Sequence, residues 1–154
     1  MKLIRGTKNE LVFQFGGEEK ELLLALLELY PCLPPAHQRL SKAAPPPDQE
    51  ASQELLDQAL AEQRAQNQRQ LQALLSEPQR WRKADSNWRL TLAPGDIEWL
   101  LQVLNDIRVG SWILLGSPEK RLMRFNAQTI RNLWAMETAG LFQIGFLQAI
   151  EGAA

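Results

Sequence analysis

The sequence predicts a mainly α single domain over residues 1–154: about four helices around a central leucine-rich helix, with a short N-terminal β-hairpin and a candidate third short strand. Three observations carry this prediction. First, 154 residues that are 45% hydrophobic and 23% charged suit one globular domain large enough to bury a real core. Second, only three short stretches read as strands, two of them alternating with period two, whereas long stretches carry helix caps and helical periodicity. Third, Leu22-Leu23-Leu24-Ala25-Leu26-Leu27 is apolar on every side, as a helix covered by other helices would be.

Taken in order, residues Lys2 to Arg5 and Leu11 to Phe15 flank the turn-like Gly6-Thr7-Lys8-Asn9. Leu11, Phe13 and Phe15 alternate with Val12 and Gln14 as one face of a hairpin strand. Gly16-Gly17 ends the hairpin, and Glu18-Glu19 put negative charge where a helix N-terminus favours it. Pro31, Pro34, Pro35 and Pro45-Pro46-Pro47 make 31–47 a proline-rich surface connection, because proline lacks the amide hydrogen that regular structure needs. Asp48 caps a helix to Ser76, stopped by Pro78; its polar middle, Glu62 to Gln70, has little to bury and belongs on the surface or out in solvent. Trp88, Leu90 and Leu92 alternate with Arg89 and Thr91 as the third strand, placed to pair with the hairpin. Pro94 fits the first turn of a helix to Leu115, with Asp96 and Glu98 complementing its dipole. Asn126 caps the last helix, which continues to Ile150.

Composition narrows the function. Lys plus Arg number 17 against 18 Asp plus Glu, so no global field draws the protein to nucleic acid or an anionic membrane, and such a partner needs a local patch. Charges interrupt Met1 to Glu10 too early for a secretory signal, so the expected location is the cytoplasm. The most apolar stretch, Leu22 to Tyr30, is far short of the roughly 20 residues a membrane span requires. Cys32 is the only cysteine, which excludes an internal disulfide and a multi-cysteine zinc site and reads as a small buried hydrophobe.

Chemical motifs are scarce. His37, the only histidine, lies in the proline-rich connection without a triad-like neighbourhood. Gly16-Gly17 lacks the further glycines and the lysine of a phosphate-cradling loop, and Glu18-Glu19 read as helix-start charge rather than paired catalytic carboxylates. No catalytic residue, cofactor or metal site is therefore expected.

The last two helices hold an anomaly. At 100° per residue, Ile97, Leu100, Leu101, Leu104, Ile107, Trp112 and Leu115 form one stripe and enclose Arg108; Ile130, Leu133, Trp134, Leu141 and Ile144 form another and enclose Glu137. A buried unpaired charge is too costly to keep, so Arg108 and Glu137 are expected to meet as a structural ion pair, or, less simply, as an ionised pair beside a pocket that also takes in Asp106. The same helices are apolar on a second side, through Trp99, Val103 and Ile113 on one and Phe142, Phe146 and Ile150 on the other. The latter three are the candidate interface with a protein partner or in a homodimer.

The candidate nucleic-acid contact is Arg80-Trp81-Arg82-Lys83 with Arg89, cations interleaved with aromatics that would touch phosphate and stack on bases; the plainer reading tucks Trp81 and Trp88 onto the core. Lys120, Arg121, Arg124 and Arg131 form a second basic group.

Leu90-Thr91-Leu92, followed by Trp99-Leu100-Leu101-Gln102-Val103-Leu104-Asn105-Asp106-Ile107-Arg108, resembles a bacterial family catalogued as a domain of unknown function, number twenty-seventeen. Arg108 matches the terminal arginine of that signature, while Val109-Gly110-Ser111-Trp112 departs from the leucine-rich run expected next. The resemblance covers about a quarter of the chain. It implies no activity and favours a cytoplasmic interaction or regulatory role. The expected function is thus a non-enzymatic protein-interaction or regulatory module, with nucleic-acid binding through 80–89 as the alternative.

Overall fold

The structure, a computed structural model, describes residues 1–32, 47–116 and 125–152. His37 and all of the proline-rich connection from 33 to 46 lie outside these residues, as do Lys120, Arg121 and Arg124. Four strands, β1 (Lys2–Gly6), β2 (Leu11–Phe15), β3 (Trp81–Ala84) and β4 (Asn87–Leu92), form one antiparallel sheet in the order β1-β2-β4-β3. The helices are α1 (Gly17–Leu27), α2 (Pro47–Ser76), α3 (Pro94–Leu114) and α4 (Ala127–Glu151).

The expected hairpin and third strand are present, and the mainly α class holds, but the sheet is larger than the sequence suggested because β3 was hidden. Its four residues include Arg82 and Lys83, and its turn into β4 uses Asp85 at a φ of 56° instead of a glycine. Aspartate tolerates this left-handed conformation better than most residues do.

Side-chain alternation gives the sheet two unlike faces. Phe13, Phe15, Trp81, Leu90 and Leu92 point to the helices and are buried, with Trp81 opposite Leu90 and Phe13 opposite the same leucine from the other side. Phe146 of α4 meets Phe13 edge-on at 5.1 Å between ring centroids, and Phe15 meets Trp81 at 5.2 Å. Leu100, Val103, Leu104 and Ile107 of α3 complete this core with Leu23, Leu26 and Leu27 of α1.

α1 is not covered on every side. It buries Leu23, Leu26 and Leu27 while Leu22 stays 43% exposed, so it packs as a one-faced helix. Its start is set by Glu19, whose Oε2 accepts from the Gly16 amide at 2.8 Å. The polar middle of α2 is better anchored than its composition suggests. Asn67 is 2% exposed and donates from Nδ2 to the Tyr30 hydroxyl at 3.2 Å, while Gln63 donates to the Asn67 Oδ1 at 3.0 Å. One turn further on, Leu71 and Leu74 enter the core; Leu55 and Leu56 near the other end remain exposed. No helix of the described residues is long and apolar enough to cross a membrane.

Candidate functional site

α4 begins where Asn126 caps it: its Oδ1 accepts from the Thr129 amide at 2.9 Å, and its own amide donates to the Thr129 hydroxyl at 2.8 Å. The helix has two apolar sides, and the one carrying small residues packs chiefly against α3. Asn132, Ala135, Ala139, Phe142 and Phe146 are buried, and the two phenylalanines reach past α3 to Phe13 and Phe15 of the sheet. Phe142 is 9% exposed, Phe146 is fully buried and Ile150 packs partly against the same core. The expected interface of Phe142, Phe146 and Ile150 is thus corrected, since these side chains are spent on the chain's own core.

The opposite side of α4 faces solvent. Leu141 is 70% exposed, Ile130 55%, Ile144 54% and Leu147 47%, with Leu133 and Trp134 half-buried at its margins. This is the stripe the sequence marked as a core face, and it lies nearly opposite the true one. On α3 the error is smaller: the buried arc through Trp99, Leu100, Val103, Leu104 and Ile107 is turned by about 70° from the expected stripe, at 100° per residue.

This rotation decides the fate of the two charges. Arg108 and Glu137 are both exposed and do not pair with each other. Glu137 sits in the solvent-facing stripe, so no burial cost demands a counter-charge within the chain. Arg108 lies at the edge of the α3 arc and leans across α4: its Cδ is 3.8 Å from where a Cβ on Gly140 would stand, and Nη1 donates to the Gln143 Oε1 at 3.5 Å. Gln143 in turn donates to the Leu101 carbonyl oxygen at 3.4 Å, tying α4 to α3.

Asp106 is not gathered with them. It lines a separate open groove with Gln63, Asn67, Leu101, Gln102 and Asn105, where burial raises its carboxyl above the usual range against the opposing pull of Arg64. Burial likewise raises the thiol of Cys32, against the lowering effect of Ser111, and the thiol donates to the Leu29 carbonyl oxygen at 3.4 Å. Among the described residues no three His, Cys, Asp or Glu side chains come together as a metal site requires.

The 80–89 cluster is divided by the fold. Arg80 is held by Asp96 and by Glu77; burial alone would lower its pKa, and the two carboxylates more than offset this and raise it. Trp81 is buried and Trp88 half-buried, and the Lys20 ammonium lies 3.5 Å from the Trp88 ring centroid and 5.7 Å from that of Trp81. The Trp81 ring is thus committed to the core, and the Trp88 ring carries Lys20 over it. Arg82, Lys83 and Arg89 remain exposed. Arg82 stands directly opposite Arg89, Arg89 is opposite Gln14 and Gln14 opposite Lys2, so one row on the outer sheet face reads Lys2, Gln14, Arg89, Arg82. Among the described residues, Lys2, Arg82 and Arg89 have no acidic partner. Sequence reading missed Lys2 because only strand pairing brings it to this row.

Compared with family models, curated proteins and solved structures, the chain matches none of them.

Proposed function

We propose that this chain is a non-enzymatic protein-interaction module of regulatory type, acting in the cytoplasm and docking through the outer face of α4. One observation carries the reading: Ile130, Leu141, Ile144 and Leu147 expose about half or more of their surface along a single helix side. Contiguous apolar surface bordered by polar groups marks contact sites, because water is expelled from it at roughly 25 cal/mol per Å² when a partner covers it. The likeness of Trp99 to Arg108 to the twenty-seventeen family supports a regulatory role over a catalytic one. A photo-crosslinking residue at position 144, introduced into the chain in its native cytoplasm, tests the reading. Protein adducts from position 144 that are lacking from a control at exposed Gln70 are expected. Equal or no adducts at the two positions would contradict it.

A second reading rests on the row of Lys2, Arg89 and Arg82. Like charges directly opposite in a sheet destabilise it, and a bound phosphate would relieve Arg82 and Arg89 together. The ligand is then the backbone of single-stranded nucleic acid, bound without base stacking. Anisotropy of a labelled oligonucleotide should show a log–log salt slope of about −2, at roughly 0.7 per phosphate for three contacts. Binding that survives Arg82→Glu with Arg89→Glu would sink this reading.

A further inference from the structure

We infer that the occupant of the outer face of α4 is a second copy of this chain, packed α4 against α4, antiparallel, about a twofold axis. The inference rests on the docking reading above and names its partner. Positions 130, 134, 137, 141, 144 and 148 are spaced alternately by four and three residues, the spacing by which one helix presents a continuous seam to another. Their residues are Ile130, Trp134, Glu137, Leu141, Ile144 and Gln148, so the seam is apolar except for one central anion and a polar end. The helix has 25 residues and is about 37 Å long at 1.5 Å per residue, enough for three such layers on either side of a crossing point.

Charge complementarity selects a second copy over another helix. Antiparallel pairing of the seam with itself sets Leu141 against the second copy's Glu137, Trp134 against its Ile144 and Gln148 against its Ile130. Arg108 rests over Gly140 and Gln143, and that level of α4 lies across from the second copy's Glu137 in this register. Among the described residues neither Arg108 nor Glu137 has an ion-pair partner, so each chain brings an anion in the seam and a cation at its flank, and the twofold axis places each beside its opposite twice. The pair that fails to form within the chain forms between chains. A different partner would have to carry the inverse pair at the same spacing, whereas a second copy carries it by construction.

Sedimentation equilibrium on the purified chain tests this, with four variants: Arg108→Glu, Glu137→Arg, the double exchange, and Leu141→Asp. The wild type should sediment at twice the 17.5 kDa chain mass at tens of micromolar. Each single reversal should weaken the dimer by about tenfold or more, the double exchange should recover most of that loss, and Leu141→Asp should leave only monomer. Since all three positions are exposed, the denaturant midpoint measured below the dimerisation range should stay unchanged in every variant, which separates lost assembly from lost folding. A wild-type monomer at all concentrations, or a dimer whose double exchange recovers nothing, overturns the inference. A monomer whose position 144 still crosslinks to another protein removes the second copy and keeps the docking face; a monomer that crosslinks to nothing removes both.

Discussion

The two sides of α4 are almost equally apolar, yet one is the floor of the core and the other faces water. The inner side combines Ala135 and Ala139 with Phe142 and Phe146, so short residues suit the close packing of α4 on α3 and the long ones reach the sheet. The outer side carries Ile130, Leu141 and Ile144, with Glu137 among them and no small residue at the seam. Hydrophobicity therefore does not choose the buried side here. The buried side is the one that packs on α3 and brings Phe142 and Phe146 to Phe13 and Phe15, and the other apolar side is exposed.

The largest effect expected from this contrast is on folding. Phe146→Ala should cost about 3–5 kcal/mol in denaturant unfolding, whereas Leu141→Ala, only five residues away, should stay within about 0.5 kcal/mol for the dilute chain. Equal costs would mean that the outer side is covered by the chain itself. A second contrast sets one polar residue against another. Asn67→Ala removes the donor to Tyr30 and should cost about 1–3 kcal/mol, while Glu137→Ala should change the unfolding midpoint little. A large loss at Glu137 would revive an intrachain pair.

A smaller effect with the opposite sign belongs to the sheet. Arg82→Glu turns a like-charge pair with Arg89 into an attractive one and should stabilise the fold by about 0.2–1 kcal/mol. No gain, measured at low salt, would mean that the two guanidinium groups do not repel.

The smallest effect is a pH dependence. Burial raises the Asp106 carboxyl above its ordinary value of 3.8, with Arg64 opposing, so the folded state holds this proton more tightly than the unfolded chain does. Stability from this group is present below the ordinary value and declines as pH rises toward the raised one. Asp106→Asn should therefore melt slightly higher than wild type at neutral pH, and the difference should close in acid below the ordinary carboxylate range. A difference independent of pH would contradict that cause.

Much of the framework was legible because local chemistry announces it. Pro94 and Asn126 locate the starts of α3 and α4, and Pro78 follows soon after the end of α2. β3 was not legible, since its pairing with β4 is tertiary and its turn lacks glycine. The outer seam was visible as a stripe, but its direction was not: a helical wheel shows two apolar sides and holds no information on which one meets Phe13 and Phe15. The Arg108–Glu137 expectation failed for the same reason, because it assumed burial that the wheel does not supply. Asn67 carried no local signal, as its partner Tyr30 lies 37 residues earlier.

Hydroxyl-radical footprinting of the purified chain over a range of concentrations tests the docking face most directly. Leu141 and Ile144 should be oxidised readily when the chain is dilute and become protected as concentration rises, while Phe146 stays protected throughout. Protection of Leu141 and Ile144 that is the same at every concentration would show that the face is covered within one chain and would contradict the account.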